Sequence, residues 1–236
     1  MVLIAALLLQ DSLSKAVLET RKQTSYSFSF SPGGQKGKGV TGVVVPGAVY
    51  LKDGALEVVR STEVTLVRLD GGEWKSYIDA TSDPRMRARV DALIQTPSPH
   101  LLAVSVLDHF RKPVEKAGIF TGDLADAYAR QLPRAKWFAR TDGGRWAETK
   151  GSLAVIVGKE GLVAGLQFDL RGKLLPADGR GIPKKPPKKP DPRSARKYQL
   201  PEVRAVMHVR MSQYGKARLP VPPEIGNRLG LTQQTK

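Results

Sequence analysis

The sequence contains no cysteine. That excludes disulfides, thiolate metal sites, thiol catalysis and a lipidated N-terminal cysteine, and leaves the compartment open. Histidine is scarce: His100, His109 and His208 are the three present. They show no metal-ligand spacing, and the nine-residue step from His100 to His109 on one predicted helix does not bring them to one site. Asp108 and His109 are adjacent in sequence and do not face each other on a helix. There is no Gly-x-Ser-x-Gly elbow and no Ser/His/Asp order that suggests a nucleophile. Asp83, Asp91, Glu148 and Glu160 are scattered over caps, helix faces and turns, so no carboxylate pair stands out. The glycine- and lysine-rich segment 33–39 lacks the spacer and hydroxyl of a phosphate loop and leads into a predicted strand. No catalytic residue, metal site or cofactor is expected.

A long hydrophobic run is also missing. The apolar stretch at 2–9 (VLIAALLL) has the length of a signal-peptide core and is too short to span a bilayer as a helix. Small residues at Ser12 and Ser14 could serve a cleavage site, but no basic residue precedes the run. Residues 1–14 therefore read either as a signal peptide, placing the protein in the periplasm or cell envelope, or as the first turns of a core helix.

What the chain does have is charge of one sign. Its 236 residues carry 38 Lys/Arg against 22 Asp/Glu, a formal charge of +16. Residues 121–236 hold 23 of those bases and 10 of the acids. Such a field favours anionic partners without choosing among them. The densest stretch, 172–195, contains Lys184, Lys185, Lys188 and Lys189 interleaved with prolines, and it should be an extended, solvated loop inserted between two strands. It reads as a solubilising insertion, as an anchor to an anionic membrane surface, or as a nucleic-acid arm. The absence of interleaved aromatics argues against nucleic acid.

The best-patterned segment is 152–171. A continuous apolar run, Leu153 to Val157, suggests a strand covered on both faces, and Gly158 and Gly161 supply a turn. On the return Leu162, Ala164, Leu166, Phe168 and Leu170 alternate with Val163, Gly165, Gln167, Asp169 and Arg171, which puts one face toward a core. Further alternation occurs in 25–31, with Tyr26, Phe28 and Phe30 between serines, and in 203–211. Strands are expected at about 40–51, 55–60, 63–69, 73–79, 135–141 and 145–149. Between them the period changes. Asp83-Pro84 opens a helix with Met86, Val90, Leu93 and Ile94 on one stripe, and Ser98-Pro99 opens another to about Arg111 with Ala103, Val106, Leu107 and Phe110 inward. A short helix is expected over 123–131, with Leu124, Ala127, Tyr128 and Gln131 on one face. Asp11-Ser12 is read as the cap of the first helix. Asp70-Gly71-Gly72-Glu73-Trp74 is echoed by Asp142-Gly143-Gly144-Arg145-Trp146, as either a turn covered by a large residue or a tryptophan at a pocket mouth.

The helix before the Tyr-Ser-Phe-Ser-Phe strand, the strands ending in Asp-Gly-Gly-Glu-Trp, the helical block, the segment 119–129 (IFTGDLADAYA), and Tyr214-Gly215 with Leu219-Pro220-Val221-Pro222 occur in a particular order. In that order the chain resembles, over 11–232, the periplasmic lipoprotein-carrier and lipoprotein-sorting superfamily (LolA-like, with mycobacterial LppX-like lipoproteins as cousins). The resemblance implies a single α+β domain, a strongly curved antiparallel half-barrel sheet with helices covering its concave face. It further implies a non-catalytic, exported, monomeric carrier or sensor of lipid, acyl chains or acylated protein. Phe28, Phe30, Trp74, Met86, Val90, Val106, Leu107 and Phe110 are the candidate pocket residues. The alternative is an envelope interaction module with a filled core that binds anionic polymer, membrane surface or protein through its basic loop.

Overall fold

The structure, a computed structural model, describes residues 2–33, 39–135, 138, 145–175 and 200–231, with the side chains of 2–10 and 145 left aside. Lys184, Lys185, Lys188 and Lys189, the Asp142-Gly143-Gly144 turn and most of the strand expected at 135–141 lie outside the described residues.

One helix, α1 (Val2–Arg21), opens the chain. Asp11 and Ser12 lie inside it and do not cap it. Leu13, Ala16, Val17 and Thr20 are buried along one stripe, as their helical spacing requires. Strands β1 (Tyr26–Pro32), β2 (Val40–Val45), β3 (Ala48–Asp53), β4 (Leu56–Arg60), β5 (Thr65–Leu69) and β6 (Lys75–Ser76) follow. The stretch expected as one strand over 40–51 is two. Pro46 lacks an N–H for the ladder and sits with Gly47, at φ 80°, in a tight turn that pairs Val45 with Ala48. The expected strand at 73–79 is shorter, because Ser76 caps α2 (Tyr77–Ala80), its hydroxyl accepting from the Asp79 N–H.

Next come α3 (Pro84–Ile94) and α4 (Pro99–Leu107), both opened by proline in the first turn. The helix expected to reach Arg111 stops at Leu107. Phe110 belongs to β7 (Phe110–Lys116), where Pro113 is tolerated because this is an edge strand. Strand β8 (Ile119–Leu124) and α5 (Asp126–Gln131) come after it. Leu124 is therefore in a strand, and α5 buries Ala129 in place of Ala127. The sheet is completed by β9 (Arg145–Val157), β10 (Val163–Leu175) and β11 (Glu202–Ser212), and α6 (Pro223–Arg228) lies near the C-terminus. What sequence periodicity divides into a strand at 145–149 and a hairpin from residue 152 is one strand. Glu148, at φ 51°, marks the irregularity in its pairing with β10.

Among the described residues eleven strands form one antiparallel sheet in the order β6-β5-β4-β3-β2-β1-β11-β10-β9-β8-β7. The end strands do not pair, so the sheet is open. It is also strongly curved: one buried cluster reaches from Val67 on β5 to Phe110 on β7, and α1 packs against both β7 and β10. Helices α1 to α5 lie on the concave face. The expected α+β half-barrel is the fold.

Pairing fixes which side chains face inward. Phe28 lies opposite both Met211 and Gly42, and Leu166 opposite both Val209 and Val155. Gly42 has a steric reason: a Cβ there would sit 2.2 Å from the Phe28 ring. The β10 face departs from simple alternation. An irregularity between Val163 and Gly165 shifts the phase, so Val163 is buried and Leu162 and Ala164 are only half-buried. Side chains hold that irregularity: the Val163 N–H donates to Thr20 Oγ1 at 2.8 Å, and the Tyr214 hydroxyl donates to the Val163 carbonyl. Nor is β9 covered on both faces, since Leu153 and Val155 are buried while Ile156 is 38% exposed on the convex side.

Candidate functional site

The concave face and the helices over it enclose a continuous apolar seam. Phe28 and Phe30 reach it from β1, Val90 from α3, Val106 from α4 and Phe110 from β7, all within one buried cluster. Met86 and Leu107 pack against that cluster half-buried. Seven of the eight candidate pocket residues thus share one place, with Phe110 arriving from a strand instead of a helix. Phe28 and Phe30 meet edge to face, centroids 5.9 Å apart.

Trp74 is elsewhere. It joins a second cluster on the convex face with Tyr50, Val59 and Leu66, which Leu219, Val221, Ile225 and Leu229 of the C-terminal segment cover. Arg68 lies 4.8 Å over its ring, and Glu57, buried on the same face, pairs with Arg68 and Lys52. Register explains the placement. Glu57 and Arg68 are opposite each other, on the face that Leu56, Val58 and Val67 do not use. Trp74 follows the turn at Asp70 and Gly71, where both φ angles are positive.

Over β3 to β6 the seam is covered by α2 and α3. Helix α2 packs on β5 and β6, α3 on β3 and β4, whereas α4 packs on α1. The helix layer therefore has two parts, joined by the short connection at 95–98. The Tyr77 hydroxyl donates to Asp91 Oδ1 at 2.7 Å and ties α2 to α3. Val49, Tyr77, Ala80 and Met86 line this margin half-buried, and Ile78 beside it is 80% exposed. The unbranched Met86 thioether adapts to irregular apolar contents.

One polar contact interrupts the seam. The buried Tyr26 hydroxyl shares a hydrogen bond with His100 Nδ1 near the start of α4, the two rings lying edge to face. Burial pushes the Tyr26 hydroxyl up to about 12, so it stays protonated. Burial, with Arg21 nearby, holds the His100 pKa below the ordinary 6.5. The sign follows directly. A depressed histidine contributes stability above its unfolded pKa, and that contribution is lost as pH falls through the folded pKa. The midpoint of thermal unfolding should therefore drop below pH 6.5, and His100→Gln should reduce that drop, as calorimetry across pH 4.5–8 would show.

Neither of two open clefts on the structure lies in the seam. A cleft of about 980 Å³ separates the Pro46-Gly47 turn from Lys216–Leu219 and α6. A shallower trough of about 670 Å³ crosses the convex side of the sheet, floored by Ser27, Ser29, Thr41 and Gly165, with Arg210 on it. Apolar residues at 219, 221, 225, 229 and 231 were the available sequence signal for the C-terminal cover that bounds them. Among the described residues no group of three or more His, Asp or Glu could hold a metal, and no helix is long and apolar enough to cross a membrane.

No protein-family model matches the sequence, and no curated protein does. Two solved structures are similar along nearly their whole length. The lipoprotein LppX of Mycobacterium tuberculosis matches at 9% identity and a TM-score of 0.41, over 89% of this chain and 97% of its own. LprF of Mycobacterium bovis matches at 11% identity and a TM-score of 0.42, over 91% and 96%. At these identities and scores the likenesses speak to neither ligand nor activity.

Proposed function

We propose that this protein is a non-catalytic, envelope-located binding protein that takes up an acyl chain or similar lipid group between its concave sheet and the α2–α3 unit. The observation that carries the reading is the division of the helix layer over an unbroken apolar face. Helices α1 and α4 pack on each other, while α2 and α3, tied by Tyr77 and Asp91, rest on β3 to β6 as a separate flap. The described core is closed by side chains, so uptake requires the flap to part from the sheet. Phe28, Phe30, Met86, Val90 and Leu107 would then exchange contacts with one another for contacts with the ligand. Such an exchange keeps apolar area out of water, at about 25 cal/mol per Å². A slot lined in this way selects by length and shape of hydrocarbon, and neither catalysis nor a cofactor has a part in it.

The test is extraction. Protein purified from cell envelopes without detergent should release a stoichiometric lipid or fatty acid into organic solvent, identified by mass spectrometry. Material that carries no lipid, and cannot be loaded with fatty acid afterwards, would remove the proposal.

A further inference from the structure

The convex face of β7 to β11 carries a pattern that the seam does not use. Lys150, Arg171 and Arg204 stand directly opposite one another on β9, β10 and β11. Like charges in cross-strand register are destabilising unless something answers them. Asp169 answers in part. It accepts from Arg204 Nε at 2.9 Å and Nη2 at 2.6 Å, while Arg171 stands off at 3.8 Å with its side chain 72% exposed. Arg210 adds an exposed cation along β11. The other carboxylates of these strands are Glu115, which accepts from the Gly118 N–H at 2.8 Å, Asp123 and Glu202, and Glu148, which Lys173 engages at 2.5 Å. Among the described residues no carboxylate pairs with Lys150 or Arg210.

The other end of the same face carries exposed apolar residues between two cations, since Arg210, Gly165, Ile156, Ile119 and Lys116 stand in one cross-strand row. Ile119 and Ile156 are cross-strand neighbours, 40% and 38% exposed, and Val114 on the adjoining edge strand is 64% exposed. The chain also leaves the described fold beside the cation row, after Leu175, and returns at Leu200; the intervening 24 residues contain eight Lys/Arg and two Asp.

We propose that this convex face docks on an anionic lipid bilayer, with Lys150, Arg171, Arg204 and Arg210 among the headgroups and the Ile119–Ile156 pair against the acyl boundary. Cations alone would suit any polyanion. The exposed isoleucines and valine select lipid, because a soluble polyanion gains nothing from them. The docking stands apart from acyl uptake, since the two use opposite faces of the sheet.

Flotation of the full chain with vesicles is the experiment. It should bind phosphatidylcholine vesicles containing one third phosphatidylglycerol and not pure phosphatidylcholine, with affinity falling as salt rises. The pair Lys150→Glu and Arg210→Glu should weaken vesicle binding at least about tenfold at an unchanged unfolding temperature. Ile119→Ser with Ile156→Ser should weaken it severalfold and leave retention on heparin as it was. The proposal is overturned if the charge variants bind like the unaltered protein while deletion of 183–190 abolishes binding. It is equally overturned if the isoleucine variants float normally, which would make the surface a polyanion site.

Discussion

Phe168→Ala is expected to cost about 3–5 kcal/mol of folding stability, the range for an aromatic truncated in a closed core. Phe168 is fully buried at the centre of β10, opposite Leu153 on β9 and Met207 on β11. Its ring stands edge to face with Phe138 at 6.1 Å. Three strands and the segment before β9 meet there, so no single neighbour can collapse into the space without moving a ladder. Urea unfolding monitored by tryptophan fluorescence reads the effect as a lower midpoint with the slope unchanged. A loss below about 1 kcal/mol would mean that the site relaxes freely around the lost ring.

The second large effect concerns ligand. Met86→Asp should reduce the affinity for a fluorescent fatty acid at least about tenfold, equivalent to about 1.4 kcal/mol of binding. Met86 lies half-buried at the margin of the flap, so the carboxylate remains hydrated in the closed protein and meets hydrocarbon only when the seam is loaded. Arg89→Ser, on an exposed position of the same helix, is the control and should leave affinity unchanged. Fluorescence titration separates the two variants, and equal affinities would place the ligand away from α3.

How much of this was legible in the sequence depends on the element. Asp83-Pro84 and Ser98-Pro99 opened their helices as expected, because a proline in the first turn acts locally and needs no partner. The Tyr26–Phe28–Phe30 alternation likewise gave its strand and inward face, since period two survives wherever a strand is regular. Alternation misled at Val163, where pairing with β9 slips and two side chains stabilise the irregular backbone. Periodicity inside one strand carries no information about the register of its partner. The i, i+4 step from Val106 reads Phe110 onto a helix. The helix ends at Leu107, and the strand pairing with β8 takes over. Trp74 failed for another reason. The cover over it comes from residues 219–231, far along the chain, and only the folded sheet shows that β3 to β5 are covered on both sides. The convex cation row was invisible because its members, Lys150, Arg171 and Arg204, come from three strands and align only through register.

To admit an acyl chain, the flap of α2 and α3 has to part from the sheet. The chain has no cysteine of its own, so one cysteine on α3 and another on the facing β4 can form a disulfide without competing pairs. Fatty-acid uptake by this variant should be saturable when reduced and abolished when oxidised, with reduction restoring it. Equal uptake in the two states, or none in either while the unaltered protein also takes up none, would contradict the account.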